Sequence, residues 1–395
     1  TAPCTKPMTV MIPMRDGVRL NTDIYLPPGH LLGRKFSVIL SRGPYGNPTH
    51  SSCPGTPYEL EGVAAVFQDT RGQHGSEGNF SIFLSDGTDG YDTMDWIAKQ
   101  PWYGGHGIVT YGGSALGITQ LMVAPLAHPE HRGMFVVVGS PDIYGQIVFP
   151  GGVLRRQDIL GWVGVTAPTA DANIVRDLHA HPTLDEYWAS GETLPLAPSV
   201  QASGFFLTGW FDFMSPGSVA AYLAIQAHGG VSARGRQQLM AGIIGHGTGI
   251  PVKDPSGKVT GCQAGQLVYP AAACTIPSGL DVIMWAKNRS VGGPDIGYPV
   301  VRAYTLGDPT DSSAPGNVWQ NFSQWPSAGS RPVLLYSSAV GTLAPTAPRA
   351  TDLSMSSYVS DPLSPVPTVG GRNLLPGSNG YTNGVGPFDQ VRQST

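Results

Sequence analysis

The chain has 395 residues, of which 41% are apolar and 13% are charged, and its net charge is −4. An apolar share of this size can fill a large buried core, which excludes global disorder. The sequence has no basic run of the kind that binds nucleic acid and no stretch of 18 apolar residues that could span a membrane. We therefore expect neither a nucleic-acid partner nor a membrane partner.

The sequence contains four cysteines, which are Cys4, Cys53, Cys262 and Cys274. No C-x-x-C or Cys/His metal spacing joins them. An even number in Gly/Pro-rich stretches favours two disulfides, and proximity along the chain pairs Cys4 with Cys53 and Cys262 with Cys274. Spacing alone does not determine the connectivity, and the alternative is a cytosolic protein with four free thiols.

The chain begins with "TAPCTKP", without Met and without the apolar segment of a signal peptide. A mature secreted protein begins in this way after processing, so we expect an extracellular location. Three N-x-S/T matches at Asn79, Asn288 and Asn321 are candidate glycosylation acceptors and give mild further support.

Taken in chain order, the first part of the sequence alternates predicted strands with predicted helices. Residues 8–26 alternate apolar and polar around an Asp-Gly turn, which predicts a β-hairpin. Buried strands are then predicted in "FSVILSRG", "GVAAVFQD", "GIVTYGG" and "GMFVVVG", with helices in "DGYDTMDWIAKQ" and "LGITQLMVAPLA". This alternation predicts an α/β fold with a parallel sheet.

Two changes of pattern divide the chain into four segments. An α/β core is predicted over 1–140, and the Trp- and Pro-containing helical fragments of 141–203 are predicted to form an inserted cap. The α/β alternation returns over 204–296. Short apolar runs among Pro, Gly, Ser and Thr over 297–395 predict the start of an all-β, jelly-roll-like domain.

Ser114 lies where a predicted strand runs into a predicted helix, in "YGGSALGITQ". A sharp turn of this kind exposes a serine hydroxyl and directs the following N–H groups at a developing oxyanion. Gly112 and Gly113 permit the turn, but the G-x-S-x-G pattern fails at Leu116, and glycine comes one place later at Gly117. On this stretch alone, an unreactive serine in a glycine turn is an equal alternative.

An acid and a histidine follow Ser114 in the order serine, acid, histidine. Asp212 comes directly after the predicted strand "GFFLTGW", and His246 directly after "LMAGIIG". Strand ends place both at the sheet edge that carries Ser114, which is where α/β folds bind ligands. Taken singly, Asp212 could cap a helix and His246 could be an ordinary loop residue, but the three in this order favour a catalytic triad.

Several separate motifs resemble the CocE/NonD hydrolases. These are α/β-hydrolase-fold serine enzymes that include cocaine esterase, α-amino acid ester hydrolases and X-Pro dipeptidyl-peptidases. The resemblance extends from about residue 8 to the end of the chain. The motifs are Asp69-Thr70-Arg71-Gly72 with Ser76 and Gly78, "QPWYGGHGIVTYGGSALGITQ", "GWFD", "DPLSPVPTVGGRNL" and "GPFDQ".

The resemblance implies roles for particular residues. It makes Ser114 the nucleophile, Asp212 the acid and His246 the base. It implies that the Ala115 N–H and the Tyr45 hydroxyl form the oxyanion hole, with no metal or cofactor. The family has glycine three places after the serine, as here, but tyrosine directly after it, where this chain has Ala115.

The chain departs from this family in two further places. The segment from 247 to 276, which carries two cysteines, looks like an extra loop beside the predicted base. The chain also stops at Thr395, where the family continues with most of its jelly roll. This predicts a second chain, produced by proteolytic nicking near Thr395, and the alternative is a shortened domain. The intact mass of the reduced, denatured sample separates the two.

The sequence therefore predicts a secreted serine hydrolase that cleaves a small-molecule, peptide or short polymeric ester or amide. A first alternative is an X-prolyl or aminoacyl peptidase, in which Asp142, Asp158 and Asp171 are candidates for holding a substrate ammonium group. A second alternative is a non-catalytic binding protein with the same fold.

Overall fold

The structure is a computed structural model of the whole chain. It describes residues 6–47, 54–246, 249–291, 297–337, 342–349, 357, 359, 361–363, 370–374 and 386–388.

The strands alternate with helices through most of the chain. They are β1 Met8–Pro13, β2 Arg19–Tyr25, β3 Phe36–Gly43, β4 Val63–Asp69, β5 Tyr103–Gly113, β6 His131–Val137, β7 Ser203–Gly209, β8 Gln238–Gly242, β9 Ile250–Lys253, β10 Val259–Ala264, β11 Leu267–Pro270, β12 Val301–Thr305, β13 Val318–Phe322, β14 Tyr336–Ser337 and β15 Leu343–Ala344.

The α-helices are α1 Thr56–Leu60, α2 Asp86–Ala98, α3 Ala115–Val123, α4 Arg156–Thr166, α5 Asp171–Ala180, α6 Ser215–His228 and α7 Gly279–Val291. A π-helix covers Ile143–Val148. Short 3-10 helices occupy His30–Leu32, Ala124–Leu126, Pro150–Gly152, Glu186–Gly191, Leu194–Ser199 and Ala271–Cys274.

A ten-stranded sheet organises the molecule, in the order β1-β2-β4-β3-β5-β6-β7-β8-β12-β13. The strands from β4 to β12 in this order pair in parallel. The outer pairs β1/β2, β2/β4 and β12/β13 are antiparallel. The predicted α/β fold with a parallel sheet is therefore confirmed.

Helices cover both faces of this sheet because the strands bury side chains in both directions. In β6, Met134 and Val136 pack in the same cluster as residues of α3, α6 and the cap. Phe135, between them, points to the other face and packs against Trp285 of α7, with 5.6 Å between ring centroids. This two-sided burial holds the carboxyl ends of β5, β7 and β8 at one edge.

The segment predicted as a cap, 141–203, consists of α4, α5 and short helical turns. Its two ends return to the same place on the core. There Asp142 and Glu192 form an isolated antiparallel bridge, and the Thr193 N–H donates to the Pro141 carbonyl over 2.9 Å.

The first strands of the predicted C-terminal β domain belong to the main sheet. The sequence assigned everything from 297 onward to a separate domain, but β12 pairs in parallel with β8, and β13 follows at the sheet edge. Apolar and polar residues alternate along both strands, as they do in the strands of a sandwich. Their composition therefore did not reveal which sheet they join. The jelly roll itself stays a prediction.

The segment before α7 forms a small antiparallel sheet in the order β11-β10-β9. The disulfide between Cys262 and Cys274 joins β10 to the adjoining 3-10 helix, as the sequence predicted. The predicted Cys4–Cys53 pair lies outside the described residues. Across the part of the chain that the structure describes, no helix is both long and apolar enough to cross a membrane.

Candidate active site

Ser114 occupies a strained turn between β5 and α3. Its backbone angles are φ 57° and ψ −122°, a conformation that non-glycine residues rarely adopt. The Ser114 N–H donates to the Val137 carbonyl over 2.9 Å, and its own carbonyl accepts from the Gly117 and Ile118 N–H groups. Such strain at a serine between a strand and a helix is typical of a nucleophile elbow.

The glycine pattern around Ser114 follows from close packing of the helix against the sheet. A Cβ on Gly117 would lie 3.0 Å from the Val137 carbonyl oxygen and 3.2 Å from Gly139 Cα, so α3 approaches β6 only with glycine at 117. The Leu116 side chain packs directly against two glycines, Gly43 and Gly112. A Cβ on Gly43 would lie 2.4 Å from the Leu116 side chain, and a Cβ on Gly112 would lie 2.3 Å from it. The elbow therefore requires glycine three places after the serine, and leucine at 116 is part of its packing.

Ser114, His246 and Asp212 form one hydrogen-bonded chain. His246 Nε2 lies 2.8 Å from Ser114 Oγ, and His246 Nδ1 lies 2.8 Å from Asp212 Oδ2. Because a carboxylate can only accept, Nδ1 carries the hydrogen and Nε2 is left to accept the serine proton. These distances suit a nucleophile, its base and an orienting acid.

Asp212 is completely buried and held from two sides. It lies just after β7, and its second oxygen, Oδ1, accepts the Met214 N–H over 2.8 Å. The next residue, Phe213, places its ring 5.0 Å from the His246 ring. The His246 side chain keeps 15% of its surface exposed, whereas the Asp212 side chain has no contact with solvent.

The two predicted oxyanion donors lie beside Ser114 in one cavity. Ala115 is the first residue of α3, where N–H groups have no partner within the helix. Tyr45 follows β3, is 47% exposed, and its hydroxyl accepts the Trp162 Nε1–H over 3.1 Å. Because an indole can only donate, the Tyr45 proton is left for a second acceptor.

An apolar cavity adjoins the serine. Its walls come from the core and the cap and consist of Tyr45, Phe83, Ser114, Ala115, Ile118, Ile147, Ile159, Trp162, Phe213, Met214 and Leu374. The cavity volume is about 20 Å³, enough for roughly one water molecule. A substrate acyl group is larger than this cavity, so the side chains that line it must rearrange when the substrate binds.

The motif that begins at Asp69 shapes one wall of this cavity. Arg71 forms ion pairs with Asp89 of α2 and with Asp16 in the β1–β2 turn, and Ser76 Oγ donates to the Asp69 carbonyl over 2.8 Å. The loop that these contacts hold leads to Phe83, whose ring stacks on Trp162 at 5.6 Å. The motif is therefore structural and positions an aromatic wall.

Of the carboxylates proposed for an ammonium site, neither Asp142 nor Asp158 lines this cavity. Asp142 accepts the Gly145 N–H at the start of the π-helix. Asp158 is buried and accepts the Leu374 N–H over 3.2 Å. The Asp171 side chain lies outside the described residues.

The three predicted glycosylation sites differ in their surroundings. Asn79 lies in a loop and Asn321 in β13, and both are exposed. Asn288 lies in α7, is half-buried and contributes to a second cleft. All three sites stay predictions.

That second cleft, of about 600 Å³, lies where β6 and β7 begin, away from the serine edge. It contains none of Ser114, Asp212 and His246. Its larger volume therefore does not make it the candidate active site.

Sequence reasoning missed most of the apolar wall. Phe213 follows the predicted acid directly, so its position could have drawn attention to it. Leu374 carries no such signal, because it lies far along the chain from Ser114 and reaches the cavity only through the packing of residues 370–374.

Comparisons with known proteins agree with this geometry. A model of the X-Pro dipeptidyl-peptidase (S15) family matches residues 16–173. Cocaine esterase of Rhodococcus sp. (strain MB1 Bresler) is 26% identical over 438 residues, covering 96% of this chain and 71% of that protein.

Solved structures share the fold at lower identity. An aminopeptidase from a marine sediment archaeon of the Thaumarchaeota superimposes with a TM-score of 0.69 at 21% identity, over 92% of this chain and 65% of that one. An α-amino acid ester hydrolase superimposes with a TM-score of 0.67 at 22% identity, over 92% of this chain and 66% of that one. The chain thus spans about two thirds of the length of these two solved proteins.

Proposed function

Because this chain is a serine hydrolase of the CocE/NonD family, we propose that it cleaves a carboxylic ester or amide through an acyl-enzyme on Ser114. The observation that carries the proposal is the unbroken chain from Ser114 Oγ through the His246 ring to Asp212, with two contacts of 2.8 Å.

In the first half of the reaction, Ser114 Oγ attacks the substrate carbonyl carbon while His246 Nε2 takes the hydroxyl proton. The carbonyl oxygen becomes an oxyanion, to which the Ala115 N–H and the Tyr45 hydroxyl donate. Asp212 keeps Nδ1 protonated and stabilises the imidazolium. His246 then gives its proton to the departing oxygen or nitrogen, and the acyl group stays on Ser114.

In the second half, water attacks the acyl carbonyl. His246 takes the proton of this water and returns it to Ser114 Oγ as the acid leaves. The same oxyanion donors serve both tetrahedral intermediates, so losing either donor should slow both steps.

The cavity supports an apolar acyl or leaving group. Its lining beside Ser114 is aliphatic and aromatic, and the described residues that line it include no carboxylate to hold an ammonium group. This lining favours an ester or amide hydrolase over the aminoacyl or X-prolyl peptidase. Rates on a 4-nitrophenyl ester and on an aminoacyl-proline anilide separate the two.

The decisive test is labelling by a fluorophosphonate. Wild-type protein should be labelled at one site and should hydrolyse 4-nitrophenyl esters, whereas Ser114→Ala should lose both activities. Persistent labelling of the variant would refute the assignment of Ser114. No labelling of the wild type and no turnover across a broad ester panel would favour the non-catalytic binding protein.

We also propose an extracellular location, supported by the Cys262–Cys274 disulfide, because such bonds persist in oxidising compartments. Fractionation of the source cells, with detection of the protein in the medium, tests this location. Recovery only from the cytosol would contradict it.

A further inference from the structure

Arg155 lies near the candidate active site, against Phe213. It directly precedes α4, the cap helix whose Ile159 and Trp162 line the cavity. Its backbone N–H donates to the Val148 carbonyl over 2.8 Å, and its side chain is half-buried. The backbone is thus anchored, and the guanidinium group extends from a fixed point.

The charge of Arg155 has no acidic partner in direct contact. Among the described residues, no carboxylate lies within 4 Å of the guanidinium and none accepts a hydrogen bond from it. One terminal nitrogen, Nη1, is fully buried without an acceptor. An arginine is always charged, and a half-buried charge without a counter-ion is costly, so this arrangement is unusual unless a ligand supplies the anion.

The nearest contact of this guanidinium is an aromatic face. Arg155 Cζ lies 4.9 Å from the centroid of the Phe213 ring, a cation–π contact that offsets only part of the cost of burial. Phe213 in turn lies 5.0 Å from the His246 ring, so Arg155 is no more than about 10 Å from the base. The positive charge therefore lies within about 10 Å of the His246 ring.

The nearby carboxylates accept hydrogen bonds from other groups and none pairs directly with Arg155. Burial lowers the pKa of Arg155, and the charges of Asp158 and Asp212 act in the opposite direction. Both oxygens of Asp212 already accept hydrogen bonds, from Met214 and His246. Asp158 Oδ2 accepts the Leu374 N–H. Arg155 is left with charges that lie nearby without pairing.

We propose that Arg155 is a carboxylate-binding subsite and that the natural substrate carries a carboxylate close to its scissile ester or amide bond. This inference rests on the proposed function and specifies its substrate class. A guanidinium fork matches a carboxylate with two parallel hydrogen bonds, so Arg155 can select for such a group. The bound anion also compensates a positive charge that would otherwise repel the imidazolium formed on His246.

The test compares esters that differ only in a carboxylate. Mono(4-nitrophenyl) adipate and 4-nitrophenyl hexanoate place or omit the carboxylate on the acyl side. The hexanoate esters of 3-hydroxybenzoate and of phenol do the same on the leaving-group side. In at least one pair, the wild type should show the higher kcat/KM for the carboxylate ester, and the ratio should fall as salt rises from ~0.05 to ~0.5 M.

Variants then assign the preference to Arg155. Arg155→Met should lower the carboxylate-to-neutral ratio of kcat/KM by about tenfold to a hundredfold, the range for a charge-assisted hydrogen bond. Arg155→Lys keeps the charge without the fork and should give an intermediate ratio. Arg156→Met removes the same charge from the adjacent, exposed position and should leave the ratio at its wild-type value.

Two results would overturn the subsite: a wild-type enzyme that prefers the neutral ester in both pairs, or an Arg155→Met ratio equal to that of the wild type. If Arg155→Met does not fold, the Arg155→Lys ratio and the salt dependence of the wild type decide in its place. Fluorophosphonate labelling separates the two proposals. A labelled enzyme without carboxylate preference loses only the subsite, whereas an unlabelled, inactive one loses the proposed function as well.

Discussion

Trp162 of the cap donates its indole N–H to the hydroxyl of Tyr45 over 3.1 Å and so holds the proposed oxyanion donor in place. The bond joins a cap helix to the loop after β3, 117 positions away. Because Trp162 also lines the apolar cavity, a cap that closes over a substrate orients the Tyr45 proton at the same time.

This contact predicts a non-additive pair of substitutions. Tyr45→Phe removes an oxyanion donor and should lower kcat by about 10²- to 10³-fold. Trp162→Phe keeps an aromatic wall but removes the indole N–H, and it should lower kcat about tenfold, the upper range for one hydrogen bond. In the Tyr45→Phe background, Trp162→Phe should have little further effect, because it has no hydroxyl left to orient. Steady-state kinetics of the four proteins measure this coupling, and strictly additive losses would contradict it.

Asp212→Asn should abolish most activity while leaving the fold intact. The Met214 N–H donates to Oδ1, so the asparagine oxygen should take that position and its NH₂ group should face His246 Nδ1. The imidazole would then carry its hydrogen on Nε2 and could not accept the Ser114 proton. By analogy with other triads, kcat should fall by about 10⁴-fold.

The measurement is turnover of a 4-nitrophenyl ester together with the rate of fluorophosphonate labelling, with circular dichroism as the control for folding. A folded Asp212→Asn variant whose kcat stays within about tenfold of the wild type would show that Asp212 does not set the tautomer.

The triad could be predicted from the sequence because each member follows a strongly apolar strand, and parallel strands end at one edge. Its glycine pattern could be noticed but not explained, since the need for glycine at 117 comes from the Val137 carbonyl on a different strand. Arg155 carried no signal at all. The inference about Arg155 depends on its contact with Phe213 and on the lack of a close carboxylate, and both arise only when the cap packs on the core.

Glu192 predicts a pH-dependent stability at the neck of the cap. Burial, together with the charge and hydrogen bond of Asp142, raises the pKa of Glu192 from 4.5 to about 7, although the Tyr144 N–H opposes this shift. The folded state therefore holds the proton more tightly than the unfolded state. Its stabilising effect is complete below about pH 4.5 and is lost as the pH rises through 7.

Glu192→Gln keeps the shape and stays neutral, so it should be more stable than the wild type at about pH 8 and equal to it at about pH 4. The difference at the higher pH should be about 1–2 kcal/mol, which allows for the partial exposure of the site. Urea unfolding at both pH values measures it. Glu186→Gln, at an exposed position of the adjacent 3-10 helix, is the matched control and should show no such trend.

The disulfide should stabilise the segment that follows His246. Cys262 is fully buried in β10 and bonds to Cys274 across a separation of 12 residues. Closing a loop of this length restricts the unfolded chain, so replacing both cysteines by alanine should lower the free energy of unfolding by about 2–3 kcal/mol. Substitution is preferable to a reducing agent, which would not be confined to this disulfide. Chemical denaturation of the double variant measures the loss.

The double variant should still hydrolyse esters in native buffer. The reason is that Trp319 also anchors the same 3-10 helix, by donating to the Ala272 carbonyl over 2.8 Å. A double variant as stable as the wild type would show that the disulfide adds nothing to the stability of the folded protein.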